Sequence, residues 1–472
     1  MLLSKEKIYL ALNTALSTGA DFAEVFVEKS LNKSISMIAN GSSLNIDSIV
    51  DRTISGIGIR AYKGLKSAHS STSDFSDEGI KRCAQSVAYS ISDSSRLVMD
   101  FELKERINRN IHKIEIVPSS VRNTVKVDLL KNAISAAANK DSKINQVMGT
   151  YLDVDRNILV ANSEGLLTTD RQIRVRMVIN AVASDNGECQ TGTCSPGRSM
   201  GLELFNTITP NSIGSEAARS ALVKISAPYC KAGVYPVAIE NGFGGVIFHE
   251  STGHSLEASA VAYSNSEFTG KLGLKIANEK VTAIDDGTIP NAWGSVNIDD
   301  EGTPTQRNVL IENGVLKHYM VDRFNGRRMN MPSSGSARRQ DFSYCPTSRM
   351  TNTFIAPGND EDEDIISSID YGIYARKMGG GSVNPLTGAF NFAVDEAYMI
   401  ENGKITYPVR GCSLIGKGSE VIQNIDMVGK HLLTGQGMCG SSSGSIPTDV
   451  GQPLIRVSSI TVGGRWWEII IA

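Results

Sequence analysis

The chain has 472 residues, 41% of them hydrophobic, which is enough for sizeable buried cores and excludes a disordered chain. Lys and Arg total 47 against 50 Asp and Glu, a formal net charge of −3, so there is no basic footprint for nucleic acid or an anionic membrane. No run nears the ~18 apolar residues of a membrane span, and seven scattered cysteines, odd in number, argue for a reducing cytoplasm over a disulfide framework.

The first element is a helix. Ser4 is its expected cap, and Ile8, Leu12, Ala15 and Leu16 follow at helical spacing, the pattern of a folded segment rather than a signal peptide. Residues 23–28, 34–38 and 52–60 alternate as strands with one buried face, and a turn at 62–65 leads into 66–72. Helices are expected at 76–90 and 125–139, with an ambiguous polar-basic stretch at 107–117 between them. A second meander covers 146–151, 157–161 and 172–184, so helix-then-meander occurs twice, a hint of internal duplication without a residue-level repeat. A helix over 214–226 closes this half.

From Gly233 onward, glycine-rich turns separate short strands at 236–239, 309–311, 355–358, 398–400, 455–461 and 466–471, with Asn-Gly turns at 313–314 and 402–403. The fold class expected is α+β: residues 1–230 form an N-terminal helix-plus-antiparallel-sheet domain, and 231–472 a β-rich domain carrying the chemistry. The acidic run at 360–364 reads as a solvated loop or helix start, Arg338-Arg339 as solvated or ion-paired, and Trp466-Trp467 as strand packing or an interface.

The informative segment is His249-Glu250-Ser251-Thr252-Gly253-His254. Two histidines flanking a carboxylate match zinc hydrolases, in which imidazoles hold the metal and the carboxylate activates water. The histidines, however, are five positions apart, which on a regular α-helix turns them about 140° away from each other. A distorted helix over 248–255, with a π-type turn that Gly253 tolerates, is therefore expected. The bland alternative is a pair of surface or capping histidines. Two of the chain's six histidines fall here, after the apolar run 244–248, which favours a partly buried site. A catalytic zinc takes three protein ligands plus water. The third is open among Glu257 and Glu250 nearby and His318, His431, Cys412 and Cys439 far off. Cys439 lies in 435–441, read as a flexible glycine loop, and on its own reads as a small buried hydrophobe. Cys189 and Cys194 are a lesser metal candidate.

The same motif, followed by Ser-Leu-Glu, resembles the signature of the TldD branch of the TldD/PmbA (TldE) metalloproteases. Segments 19–25, 284–287, 299–302, 349–353, 408–411, 437–440 and 452–453 resemble the family in order along nearly the whole chain. The resemblance implies that His249, His254 and the cysteine of Gly437-Met438-Cys439-Gly440 bind zinc and that Glu250 is the general base. It further implies a cytoplasmic peptidase for unfolded or small peptides, paired as a dimer with an identical chain or a TldE-like subunit. An extended peptide is expected to dock by adding a strand to an exposed sheet edge. The rival readings are a non-enzymatic peptide-binding or scaffold protein with a structural metal, and a non-protease amidohydrolase.

Overall fold

The computed structural model describes residues 2–41, 43–91, 101–384 and 386–464. The expected strand at 466–471 and the Trp466-Trp467 pair lie outside these. The protein is α+β, with a strand-rich C-terminal half.

Its first sheet has eight strands, built around the antiparallel hairpin Phe22–Asn40 and Ser43–Lys63. Lys66–Thr72 extends one edge. On the other side Ile144–Asn162 pairs with Phe22–Asn40, and Leu166–Asp185 follows it, so the two meanders fuse into one sheet. Alternation assigns the faces. Val25, Val27, Ile57 and Ile59 pack under helices Lys5–Leu16 and Asp77–Ser90. Ile35, Met37, Tyr151 and Met177 pack under Asn123–Ala138 and Pro210–Ile225. Ser4 caps the first helix, accepting from the Lys7 amide at 3.5 Å. The helix expected from 214 begins earlier, where Thr209 caps and Pro210 occupies the first turn, a position that needs no N–H donor.

The opposite face looks like a solvated one in sequence, yet it is buried against the C-terminal half. Glu24, Glu28, Arg60, Arg156 and Arg174 all lie on it and are at most 9% exposed. Buried charges need partners. Arg60 pairs with Glu24 at 3.1 Å and with Glu301, and Arg156 pairs with Glu28 at 3.1 Å and Asp300 at 3.2 Å. Glu301 and Asp300 belong to the other half, so ion pairs join the two. Arg339 is likewise buried and paired with Glu24 at 2.8 Å. Arg338 departs from expectation: it is buried, has no ion pair among the described residues, and donates to the carbonyls of Met350 and Pro447, each at 3.0 Å.

The C-terminal half contains two larger sheets. In one, strands far apart in sequence lie side by side: Asn352–Ile355 runs parallel to Gly444–Gln452, which pairs with Leu433–Ser441 at the sheet edge. In the other, Tyr371–Val383, Gly233–Ile239, Ile455–Gly463, Cys412–Lys417 and Ala389–Glu401 pair in succession, and the last pairs back to the first. The segment 435–441 is thus a strand, not a flexible loop. Gly435 serves close packing, since a Cβ there would stand 2.7 Å from the Cβ of Phe243, whereas Gly440 has nothing within 4 Å. Helix Val246–Ser251 runs through the core of this half, with Val246, Ile247 and Phe248 packed among its strands. The acidic run supplies the first turn of helix Asp362–Ser367, where carboxylates suit the helix dipole. No described helix is long and apolar enough to cross a membrane.

Candidate metal centre

Helix Val246–Ser251 is buried except at Glu250, which faces a cavity, and it carries His249 into the interior at 3% exposure. The expected distortion follows it, but as a break rather than a π-type turn. Thr252 leaves helical geometry at φ −134°, and a tight 3₁₀ turn, Gly253–Leu256, follows. The Thr252 amide still bonds to the Phe248 carbonyl at 3.0 Å, and the Ser255 amide to the Thr252 carbonyl. One non-helical residue and a turn of tighter pitch swing His254 back toward His249. Gly253 serves packing here, because a Cβ would stand 2.5 Å from the Met350 sulfur.

The ring centroids of His249 and His254 lie 4.9 Å apart, nearly perpendicular. Cys439 Sγ lies 3.3 Å from His249 Nε2 and 3.3 Å from His254 Nε2. The three residues bring ligand atoms within 4.8 Å of one another. A tetrahedral zinc with Zn–N of about 2.0–2.1 Å and Zn–S of about 2.3 Å separates N from S by about 3.5 Å, so this donor set suits one ion. Burial alone pushes the Cys439 thiol up, but the two facing imidazoles outweigh it and hold it at about 3, in the thiolate form that binds metals. His254 shows the reciprocal effect. Burial disfavours its charged form, yet Glu257 and Cys439 carry it well above the ordinary imidazole value.

Glu257 does not join the donors. It accepts from His254 Nδ1 at 3.1 Å, which fixes the ring with Nε2 toward the sulfur. Glu250 stands beside the donors, its Oε2 3.7 Å from His254 Nε2, on the wall of a cavity of about 830 Å³. The remaining candidates lie elsewhere: His318 is exposed, His431 sits 3.3 Å from Asp362 at the surface, and Cys412 is buried beside Cys230. Cys189 and Cys194 share one strand five positions apart and so point to opposite faces.

Sequence reasoning missed Arg349. Fully buried, it donates to the Cys439 carbonyl at 2.6 Å and to Ser443 Oγ and the Gly444 carbonyl at 3.0 Å each, and its Nε approaches Glu257 at 4.0 Å. It therefore ties the strand bearing Cys439 to the carboxylate that orients His254. Asp285 fixes the neighbouring backbone, accepting from the Thr351 amide at 2.7 Å and from the Thr351 and Thr353 hydroxyls. A polar run such as 349–353 gives no sign in sequence that it is wholly buried.

Relatives carry a consistent description. Models of the PmbA/TldA metallopeptidase domain 1, central domain and C-terminal domain match residues 23–92, 117–225 and 232–464. The chain is 35% identical to a metalloprotease TldD homolog of Haemophilus influenzae, over 94% of this chain and 93% of that one. It is 36% identical to a TldD homolog of Buchnera aphidicola, over 98% and 96%. The crystal structure of TldE from Thermococcus kodakarensis shares the fold, with a TM-score of 0.76 at 21% identity, covering 97% of this chain and all of that one (100%). With metallopeptidase models spanning both halves and near full-length TldD relatives, the chain belongs to the TldD branch of the PmbA/TldD metallopeptidase family.

Proposed function

We propose that the protein is a cytoplasmic zinc metallopeptidase acting on unfolded or small extended peptides, with His249, His254 and Cys439 as metal ligands and Glu250 as general base. The observation that carries this reading is the meeting of two imidazole nitrogens and a thiolate beside a carboxylate on a cavity wall. Zinc bound there would acidify a water molecule toward a pKa of about 7 and polarise a peptide carbonyl. Glu250 takes the proton of the attacking water and returns it to the departing amine. Glu257 holds the His254 ring in register, and Arg349 holds Cys439 against it. Residues 1–230 act as scaffold, and 231–472 carry the chemistry.

The preference for extended peptides rests on a strand edge. Gly381, Ser382 and Val383 line the cavity, and among the described residues they pair only with Ala389–Glu401. A peptide laid along the second edge gains backbone hydrogen bonds with little demand on side chains. The strand bearing Cys439 is a poorer platform, since its Gly437 and Cys439 carbonyls are taken by Trp293 Nε1 and Arg349. A purely structural zinc is closed by four ligands, whereas three converge here beside an open cavity. Pairing with a second copy or a TldE-like subunit follows from the family resemblance.

Elemental analysis of the purified protein, alongside cleavage of an unstructured peptide with and without chelator, tests the proposal. The expected result is bound zinc, cleavage that stops on chelation and returns with zinc, and no action on folded proteins or simple amides. Undiminished cleavage by metal-free protein, or turnover of simple amides alone, would count against it.

A further inference from the structure

A second cavity, of about 500 Å³, lies between the polar face of the first sheet and the hairpin carrying Cys439. Part of its wall is apolar, with Val50, Ile54, Leu152, Val154, Trp293 and Ile446. Most of the rest is polar and rich in cations: besides Lys33 and Arg52, five further arginines line it. Arg156, Arg174 and Arg176 reach it from the sheet, and Arg338 and Arg339 from the C-terminal half.

The carboxylates on this cavity are Glu28, Asp153 and Asp341, and the first two are engaged by Arg156 and Lys126. Among the described residues, Arg174, Arg176 and Arg338 have no carboxylate at ion-pair distance. Arg174 donates to the Trp293 and Ser295 carbonyls and to Gln172 Oε1. Arg338 donates only to carbonyls. Arg176 lies over the Trp293 ring and reaches Ser195 Oγ, leaving its Nε buried without a partner; Arg339 Nε and Nη1 are also unpartnered. Burial, reinforced by Arg338 and Arg156, pulls Arg174 down to about 9, and burial pulls Arg338 to about 10. Guanidinium stays charged at neutral pH, so cationic side chains outnumber carboxylates on the cavity wall.

We propose that this cavity is a carboxylate subsite for the peptide substrate, with Arg174, Arg176 and Arg338 facing the anionic group and the apolar wall holding the adjoining residue. The inference rests on the peptidase reading of the metal centre. Met438 borders both cavities and adjoins Cys439, which brings the arginine-lined space within reach of a peptide lying at the metal centre. The planar fork of arginine suits a carboxylate, the anionic group that peptides carry. The carboxylate is either the chain terminus or an acidic side chain.

Fluorescence anisotropy with zinc-loaded Glu250→Gln protein reads binding without turnover. One unstructured sequence is compared as a neutral C-terminal amide, as the free acid, and as an amide bearing one internal glutamate. A carboxylate form should bind about tenfold or more tightly than the neutral amide. That advantage should persist after chelation and fall severalfold in Arg176→Gln, a substitution at a half-buried position. Preference for the free acid assigns the subsite to the chain terminus, and preference for the internal glutamate assigns it to a side chain; either supports the proposal. Equal affinity of all three peptides overturns it, as does an advantage that vanishes with the metal or survives Arg176→Gln. Should Arg176→Gln not fold, the peptide series on metal-loaded and metal-free protein decides alone. Carboxylate-dependent binding without any hydrolysis by the wild type would sink the peptidase reading and leave the subsite standing, and hydrolysis without carboxylate preference would do the reverse.

Discussion

The two halves of this protein are assembled on different principles. In the first, strands pair mostly with near neighbours in sequence, and Phe22–Asn40 with Ser43–Lys63 forms one long hairpin under local helices. In the second, Ile239 lies beside both Ala375 and Ile455, Asn352 lies beside Asp449, and the His249–Cys439 contact spans 190 positions. Local pairing makes a scaffold whose parts specify themselves. Long-range pairing makes a site whose donors meet only when the whole half is folded. The seam between the halves combines ion pairs, Arg60 with Glu301, Arg156 with Asp300, and Arg219 with Glu396, with a small apolar cluster of Phe26, Ile158, Val160 and Ile298.

The largest effect that separates the halves is expected at Glu250. Glu250→Gln should lower peptide turnover by about 10²–10⁴-fold, the usual contribution of a general base, with metal content and thermal unfolding unchanged. Turnover at the wild-type rate would remove Glu250 from the chemistry.

The seam is tested by Glu396→Gln. Burial raises the Glu396 carboxyl, but hydrogen bonds from Arg219, Tyr398 and Arg376 overcome this and hold it at about 2, below its ordinary 4.5. A carboxyl depressed in the folded state stabilises above its unfolded pKa, and that stability fades as pH falls toward the folded value. The deficit of Glu396→Gln should therefore be full near pH 6, at most about 3 kcal/mol because the half-open arginines are screened, and should shrink from about pH 4.5 to 2. Denaturant unfolding across that range checks it, and a pH-independent deficit would disconnect the ion pair from stability.

A smaller effect is expected from Glu257→Gln, which loosens His254 without removing a donor. Metal affinity should fall about 10–100-fold, measured by competition with a chelator, while unfolding of the first half is unmoved. Unaltered affinity would mean that the His254 ring is held by packing alone.

Much of the first half was legible in sequence, because Ser4, the alternation at 23–28 and the helix over 76–90 are local signals. Local signals could not show that Glu24 and Glu28 face a buried seam, since alternation reads the same against water or against a second layer. In the other half, the His249–His254 spacing demanded a distortion but did not specify a break at Thr252. The strand Leu433–Ser441 was hidden by its glycines, of which Gly435 serves packing against Phe243. Cys439 was reached through family resemblance rather than spacing, and Arg349, though within a segment resembling the family, was given no role, because that role exists only once distant strands are adjacent.

The joint grip of His249, His254 and Cys439 on one ion is tested most directly by replacing the metal with cobalt(II) and recording absorption. A thiolate-to-cobalt charge-transfer band is predicted in the wild type, absent in Cys439→Ser and altered in His249→Ala and His254→Ala. A band that persists in Cys439→Ser, or that never appears in the wild type, would contradict the account.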